Sequence, residues 1–222
     1  MNQSRNLLLT GTPGVGKTTL LVKLIERSRK YPITGFYTEE IRDRGERVGF
    51  RAVTLNGSSA VFAHKDYHTD PRLHVGRYGV KPEVLETLVL PHLVPERKNA
   101  RLVFIDEIGK MEILSEKIKT AMWELLDSHV PLIATISQHG TGFVKRVKSR
   151  NDVMLITVTP RNRDVIIEQL WRRGRGHARG IAVASLVSTR GWHRWRGLRG
   201  SSSCLRWAKM LQPFVFIRYH CS

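Results

Sequence analysis

Apolar residues recur along the 222-residue chain in two rhythms, short unbroken runs and helical stripes. Leu7, Leu8 and Leu9 make the first run, so residues 6–10 read as a strand. Leu20, Leu21, Leu24 and Ile25 then share one face of a helix from Lys17 to about Ser28. "ITGFYTEEI", "RDRGE" and "RVGFRAVTL" follow as strand, turn and strand, with Gly45 in the turn and "NGSS" at the close, an antiparallel hairpin from Ile33 to about Phe62. Residues 64–81 are polar and turn-rich, and Pro82 to about Leu90 reads as a helix opened by proline. "LVFID" at 102–106 is an apolar run closed by a carboxylate, which suits a strand buried on both faces. Ser115 is a candidate N-cap for a helix striped by Ile118, Met122, Leu125 and Leu126. "VPLIATIS" at 130–137 and "VMLITVT" at 153–159 read as further buried strands, and Asp164 to Trp171 as a last helix.

Strands that alternate with helices imply a mainly parallel sheet covered on both sides. The expected fold class is therefore α/β, a three-layer sandwich with a mainly parallel sheet and an inserted antiparallel hairpin.

The net charge of +18 and the pI near 10.7 point toward a polyanionic partner until the distribution is considered. Residues 172–222 hold ten arginines, one lysine and no acid, so they carry +11 and leave +7 to residues 1–171. Both cysteines, Cys204 and Cys221, lie there too, as do Trp192, Trp195 and Trp207. A boundary near Trp171 is expected, with a folded domain over 1–171 and a basic Arg/Gly/Trp-rich tail over 172–222. The first 171 residues contain no cysteine, no secretory-signal pattern and no run of 18 apolar residues. No disulfide framework and no membrane span are expected. A monomer in a cytoplasmic, reducing compartment is the default, with nuclear access left open.

"GTPGVGKTT" at 11–19 changes the picture. Gly11, Gly16, Lys17 and Thr18 satisfy G-x-x-x-x-G-K-[ST] at a strand-to-helix junction, with Thr12, Pro13, Gly14 and Val15 between the glycines. Glycines let backbone N–H groups wrap phosphate oxygens without a side chain in the way. Lys17 supplies charge to the β and γ phosphates, Thr18 offers a hydroxyl to Mg²⁺, and the helix start turns its positive end to the anion. A P-loop nucleotide site follows as the expectation.

"LVFIDEIGKME" supplies the second element. A carboxylate at the end of a buried strand is suited to hold Mg²⁺ through water, which points to Asp106. Glu107 is the candidate to orient or deprotonate a water aimed at the γ phosphate. Asp106 and Gly109 also match the D-x-x-G of switch GTPases, but no N-K-x-D follows, so guanine specificity is not indicated. The histidines, including His64 and His68, show no zinc-ligand spacing with cysteine.

"GTPGVGKTTL", "GFYTEEIR", "VGRYGV", "FIDEIGKME" and "VT…NR", in this order from about Leu7 to about Leu170, resemble the small P-loop nucleoside triphosphatases known as the cancer-related or thermophile-type NTPase family. The resemblance implies slow, Mg²⁺-dependent hydrolysis of ATP, GTP, CTP and UTP with little base preference. It implies that Gly11 to Thr18 hold the phosphates, Asp106 the magnesium and Glu107 the water. Asn162 and Arg163 would sit near the nucleobase; a helix N-cap and a solvated arginine are the alternative for this pair. The hairpin around "GFYTEE" has no evident chemistry and is read as structural.

The tail departs from that family. "WRRGRGHARG" and "RGWHRWRGLRG" interleave Arg with Gly and Trp, a composition that can bind RNA through phosphate contacts and stacking, or that marks a disordered appendage or an alternative or misassigned C-terminus. Two alternatives to the hydrolase stay open at this point. One is a kinase whose acceptor pocket falls in Asp66 to Val94; the other is an RNA-binding protein that uses the nucleotide as a switch.

Overall fold

The computed structural model describes residues 5–95 and 99–171; the basic tail lies outside the described residues. Consecutive side chains of a strand point to opposite faces, so a run such as Leu7, Leu8, Leu9 needs cover on both. Strand β1 (Asn6–Thr10) obtains it: Leu8 joins one hydrophobic cluster, while Leu7 and Leu9 join the other.

The first cover is α1 (Lys17–Ser28), whose Leu20, Leu21, Leu24 and Ile25 pack with Leu7, Leu9 and Phe104, together with Ile166, Ile167 and Leu170 of α5 (Arg163–Trp171). The opposite face is covered by α2 (Pro82–Val89), α3 (Glu116–Asp127) and α4 (Gly142–Lys148) through Leu85, Ile118, Met122, Leu126, Val144 and Val147. Ser115 caps α3 as expected, its hydroxyl accepting from the Ile118 N–H at 3.1 Å.

Among the described residues the sheet has nine strands. Its parallel part comprises β2 (Ile33–Asp43), β7 (Leu102–Ile108), β8 (Leu132–Ile136), β1 and β9 (Val153–Thr157), side by side in that order. Parallel pairing brings the carboxyl ends of all five to one edge, with β8 lying between β1 and β7. An open α/β sheet forms its ligand crevice along that edge.

Beyond β2 the sheet turns antiparallel, and here the expectation of a hairpin is too small. β3 (Glu46–Thr54) pairs β2, β4 (Ser59–His64) pairs β3, and two short strands, β5 (His74–Val75) and β6 (Tyr78–Val80), complete the extension. Strands of two and three residues have no room to show an alternation, so they read as polar turns. Helix α4 shows no stripe in the sequence for a similar reason, since its seven residues bury only Val144 and Val147. No helix among the described residues is long and apolar enough to cross a membrane.

Leu21 is fully buried under the sheet on the helix that follows the phosphate-loop sequence. Leu21→Ala is expected to lower unfolding stability by ~2–5 kcal/mol, read from urea titration.

Candidate functional site

The loop from Gly11 to Gly16 joins the carboxyl end of β1 to the start of α1. It runs tight against the residue that follows β9, because a Cβ at Gly11 would stand 2.5 Å from the Val158 carbonyl oxygen, and φ there is +150°. Gly16, at φ 102°, makes the left-handed step into the helix. Val15 is buried in the α1-side core and anchors the loop, while Thr12, Pro13 and Gly14 are exposed. Lys17 Nζ donates to the carbonyls of Gly11 at 3.1 Å and Thr12 at 3.2 Å, so its ammonium lies across the loop. The N–H groups of the first helical turn have no partner within the helix, and such a helix start suits an anion.

Asp106 lies at the carboxyl end of β7 and is fully buried. Three threonines converge on it. The Thr135 hydroxyl of β8 donates to Oδ1 at 2.6 Å, the Thr18 hydroxyl of α1 donates to Oδ1 at 3.2 Å, and the Thr38 hydroxyl of β2 donates to Oδ2 at 3.1 Å. The Thr38 backbone N–H adds a contact at 3.4 Å. Burial pushes the Asp106 carboxyl above the usual carboxylate range, against the pull of these donors. Every hydrogen-bond partner it has among the described residues is a hydroxyl or an N–H, and none is a cation.

The ladder between β7 and β8 slips here. Ile105 pairs Ala134 and Ile108 pairs Ile136, so Asp106 and Glu107 together stand opposite Thr135 alone. Such a bulge re-aims side chains beside a site. Glu107 takes a different course from Asp106, its Oε1 accepting from the Ser137 hydroxyl at 2.9 Å. Gly109 follows on the same turn, and Lys110 beyond it is exposed.

Glu112 is buried at the start of the short turn Glu112–Leu114. Burial first, and then the charge of Glu107, push its carboxyl up to about 8.

Asn162 and Arg163 part company. The Asn162 amide is spent on its own turn, accepting from the Thr159 N–H at 2.8 Å and donating to the Thr157 carbonyl at 2.9 Å. Arg163 leans over the phosphate loop, its Cδ 3.9 Å from where a Cβ on Gly16 would stand. Arg150 lies at the other end of β9, tied to Asp152 and Asp127. Of the segment Asp66 to Val94, Tyr78, Val80, Leu85 and Val89 are buried in the core.

A family model described as NTPase matches residues 6–171. The chain belongs to this NTPase family. Nucleoside-triphosphatase THEP1 of Thermotoga petrophila is 40% identical over 164 residues, 74% of this chain and 89% of that protein. The cancer-related nucleoside-triphosphatase homolog of Mus musculus is 36% identical over 180 residues, 75% of this chain and 95% of that protein. The crystal structure of THEP1 from Aquifex aeolicus superposes with a TM-score of 0.67 at 38% identity, over 73% of this chain and 95% of that one. This NTPase is an enzyme of the nucleoside-triphosphate phosphatase class, with nucleoside triphosphates as its substrates.

In this member of the family, the phosphate loop, Thr18, Asp106, Glu107, Gly109 and Arg163 gather at one edge of the sheet, and the Asn162 side chain is held by its own turn. Thr38, Thr135, Ser137 and Glu112 were not read from the sequence as site residues. Thr135 carried a signal, as the one polar residue in "LIATI"; Thr38 in "GFYTEE" carried none.

The Glu112 shift has a consequence for stability. Between pH 4.5 and about 8 the folded protein keeps a proton that the unfolded chain has released, so stability falls as pH rises through that window and levels off above it. Glu112→Gln is expected to remove this contribution, up to ~1.4 kcal/mol per pH unit, in urea titrations across the window. Asp106, shifted in the same direction, retains part of the slope.

Proposed function

We propose that the chain hydrolyses ATP, GTP, CTP and UTP to the diphosphate and phosphate with Mg²⁺, slowly and with little base preference, through the loop Gly11–Thr18, Asp106 and Glu107. The observation that carries the reading is the meeting of Thr18 from the loop helix with Asp106 from the strand end, and Glu107 beside it in the bond to Ser137.

The donor set fits Mg²⁺. The Asp106 carboxyl is buried and answered by no cation among the described residues, and its partner Thr18 supplies a second hard oxygen. Thr18 would hold the ion directly and Asp106 through water. When bound, Mg²⁺ neutralises charge on the β and γ phosphate oxygens.

The chain's own residues do the rest. Backbone N–H groups of the loop and the α1 start hold the phosphates, and Lys17 exchanges its carbonyl partners for the β and γ oxygens. Glu107 accepts a proton from the attacking water as the water oxygen bonds the γ phosphorus. The bond to the β–γ bridging oxygen then breaks, with its electron pair leaving on the diphosphate. Arg163, against the loop at Gly16, reaches the nucleotide from the β9 side. Base recognition by one arginine and no guanine motif accords with broad nucleotide use. The tail, residues 172–222, takes no part in turnover, and residues 1–171 act as one domain.

The test is phosphate release from each of the four nucleotides with Mg²⁺. Lys17→Ala is expected to lose nucleotide binding, and Glu107→Ala to keep binding while kcat falls ~10²–10⁴-fold. Undiminished turnover by Glu107→Ala removes its role as base. A chain ending at Trp171 is expected to turn over like the full chain, with or without single-stranded RNA; a large loss on truncation overturns the domain boundary.

A further inference from the structure

Glu112 is a buried acid to which the hydrolytic scheme gives no task. Burying a carboxyl is costly, and an apolar residue of similar size would fill the same space more cheaply unless the group does something there. Its surroundings are specific. A Cβ at Gly109 would stand 3.1 Å from Oε2 of Glu112 and 3.2 Å from Cδ of Glu107, so the two carboxyl groups flank the space that the glycine leaves open. On its other side Glu107 is held by the Ser137 hydroxyl at 2.9 Å. The backbone of Gly109 and of Glu112 itself partly offsets the upward push on this carboxyl, so it acts within the same turn.

We propose that Glu112 is a positioning residue for hydrolysis, its buried carboxyl backing that of Glu107 so that, with Ser137 opposite, Glu107 has one orientation toward the attacking water. The proposal rests on the reading of Glu107 as the group that takes the water proton. The charged groups that act on Glu112 are Glu107 and Asp106. Those on the elements packed against its turn are engaged elsewhere: Glu86 of α2 binds Ser115 and Lys117, and Glu116 of α3 pairs with Lys119. Because burial and Glu107 push the carboxyl up to about 8, Glu112 adds no second negative charge beside Glu107 at neutral pH. It acts as a neutral wedge of fixed shape. Glutamine reproduces that shape and neutrality, whereas alanine leaves Glu107 free to turn into the space.

The experiment measures kcat and KM for ATP with Mg²⁺ in the full chain for Glu112→Ala, Glu112→Gln, Glu107→Ala and the Glu107→Ala/Glu112→Ala pair, with thermal melting of each. Expected is a drop of about 10- to 100-fold in kcat for Glu112→Ala with KM little changed, recovery of most of it in Glu112→Gln, and no further loss in the pair beyond Glu107→Ala. Glu112→Gln is also expected to hold its kcat on the alkaline side, where the parent declines as Glu112 ionises. Parent-like kcat in Glu112→Ala, or an equal additional loss in the pair, overturns the proposal. If Glu112→Ala does not fold, Glu112→Gln decides, since a kcat as low as that of Glu107→Ala in a folded protein also overturns it. If Glu107→Ala keeps its turnover, the reading of Glu107 falls first. If Glu107→Ala is inactive and Glu112→Ala is not, only the role of Glu112 falls.

Discussion

A carboxylate taken out of water must be answered by hydrogen bonds or by a cation, and Asp106 has only the first kind of answer among the described residues. Three separate elements bring it those bonds. Thr38 comes from β2 and Thr135 from β8, the two strands that flank β7, while Thr18 reaches across from the helix that follows β1. The bonds can form only if the strands stand in this order and at this register. One interior group therefore couples the phosphate loop to the centre of the sheet.

The same dependence gives the antiparallel extension a part in the site. Thr38 lies on the strand that continues into the β2–β3 hairpin, and that hairpin is braced by polar contacts. Arg47 bonds Glu40 at 2.8 Å and the Tyr78 hydroxyl at 3.1 Å, and Arg77 bonds Glu46 at 2.6 Å. Each exposed pair contributes little by itself. Together with the Phe50 and Tyr78 rings, 5.2 Å apart at 73°, they tie the far strands to the one that carries Thr38.

Beneath the loop the packing is apolar on both faces. Val15 and Leu21 belong to the α1-side core, so the loop rests on a helix fixed by close packing. A rigid support suits phosphoryl transfer, where catalysis depends on placing groups that already carry the needed charge and donors. The basic tail contributes most of the formal charge and lies outside the described residues. The charge of the chain as a whole is therefore a poor guide to what its site binds.

Periodicity by itself determined the layers, since runs of three or more apolar residues need two covered faces and a 3.6-residue stripe needs one. Spacing determined the phosphate loop, because the glycines, Lys17 and Thr18 act within a single turn and their relation is local. Only the tertiary structure decided what surrounds Asp106. Thr38 and Thr135 are 68 and 29 residues from it, Ser137 is 30 residues from its partner Glu107, and strand order and register, which the residues themselves do not display, bring them together. The short strands β5 and β6 and the buried Glu112 escaped for the same reason. Two or three residues carry no period, and an acid reads as exposed until the chain folds over it.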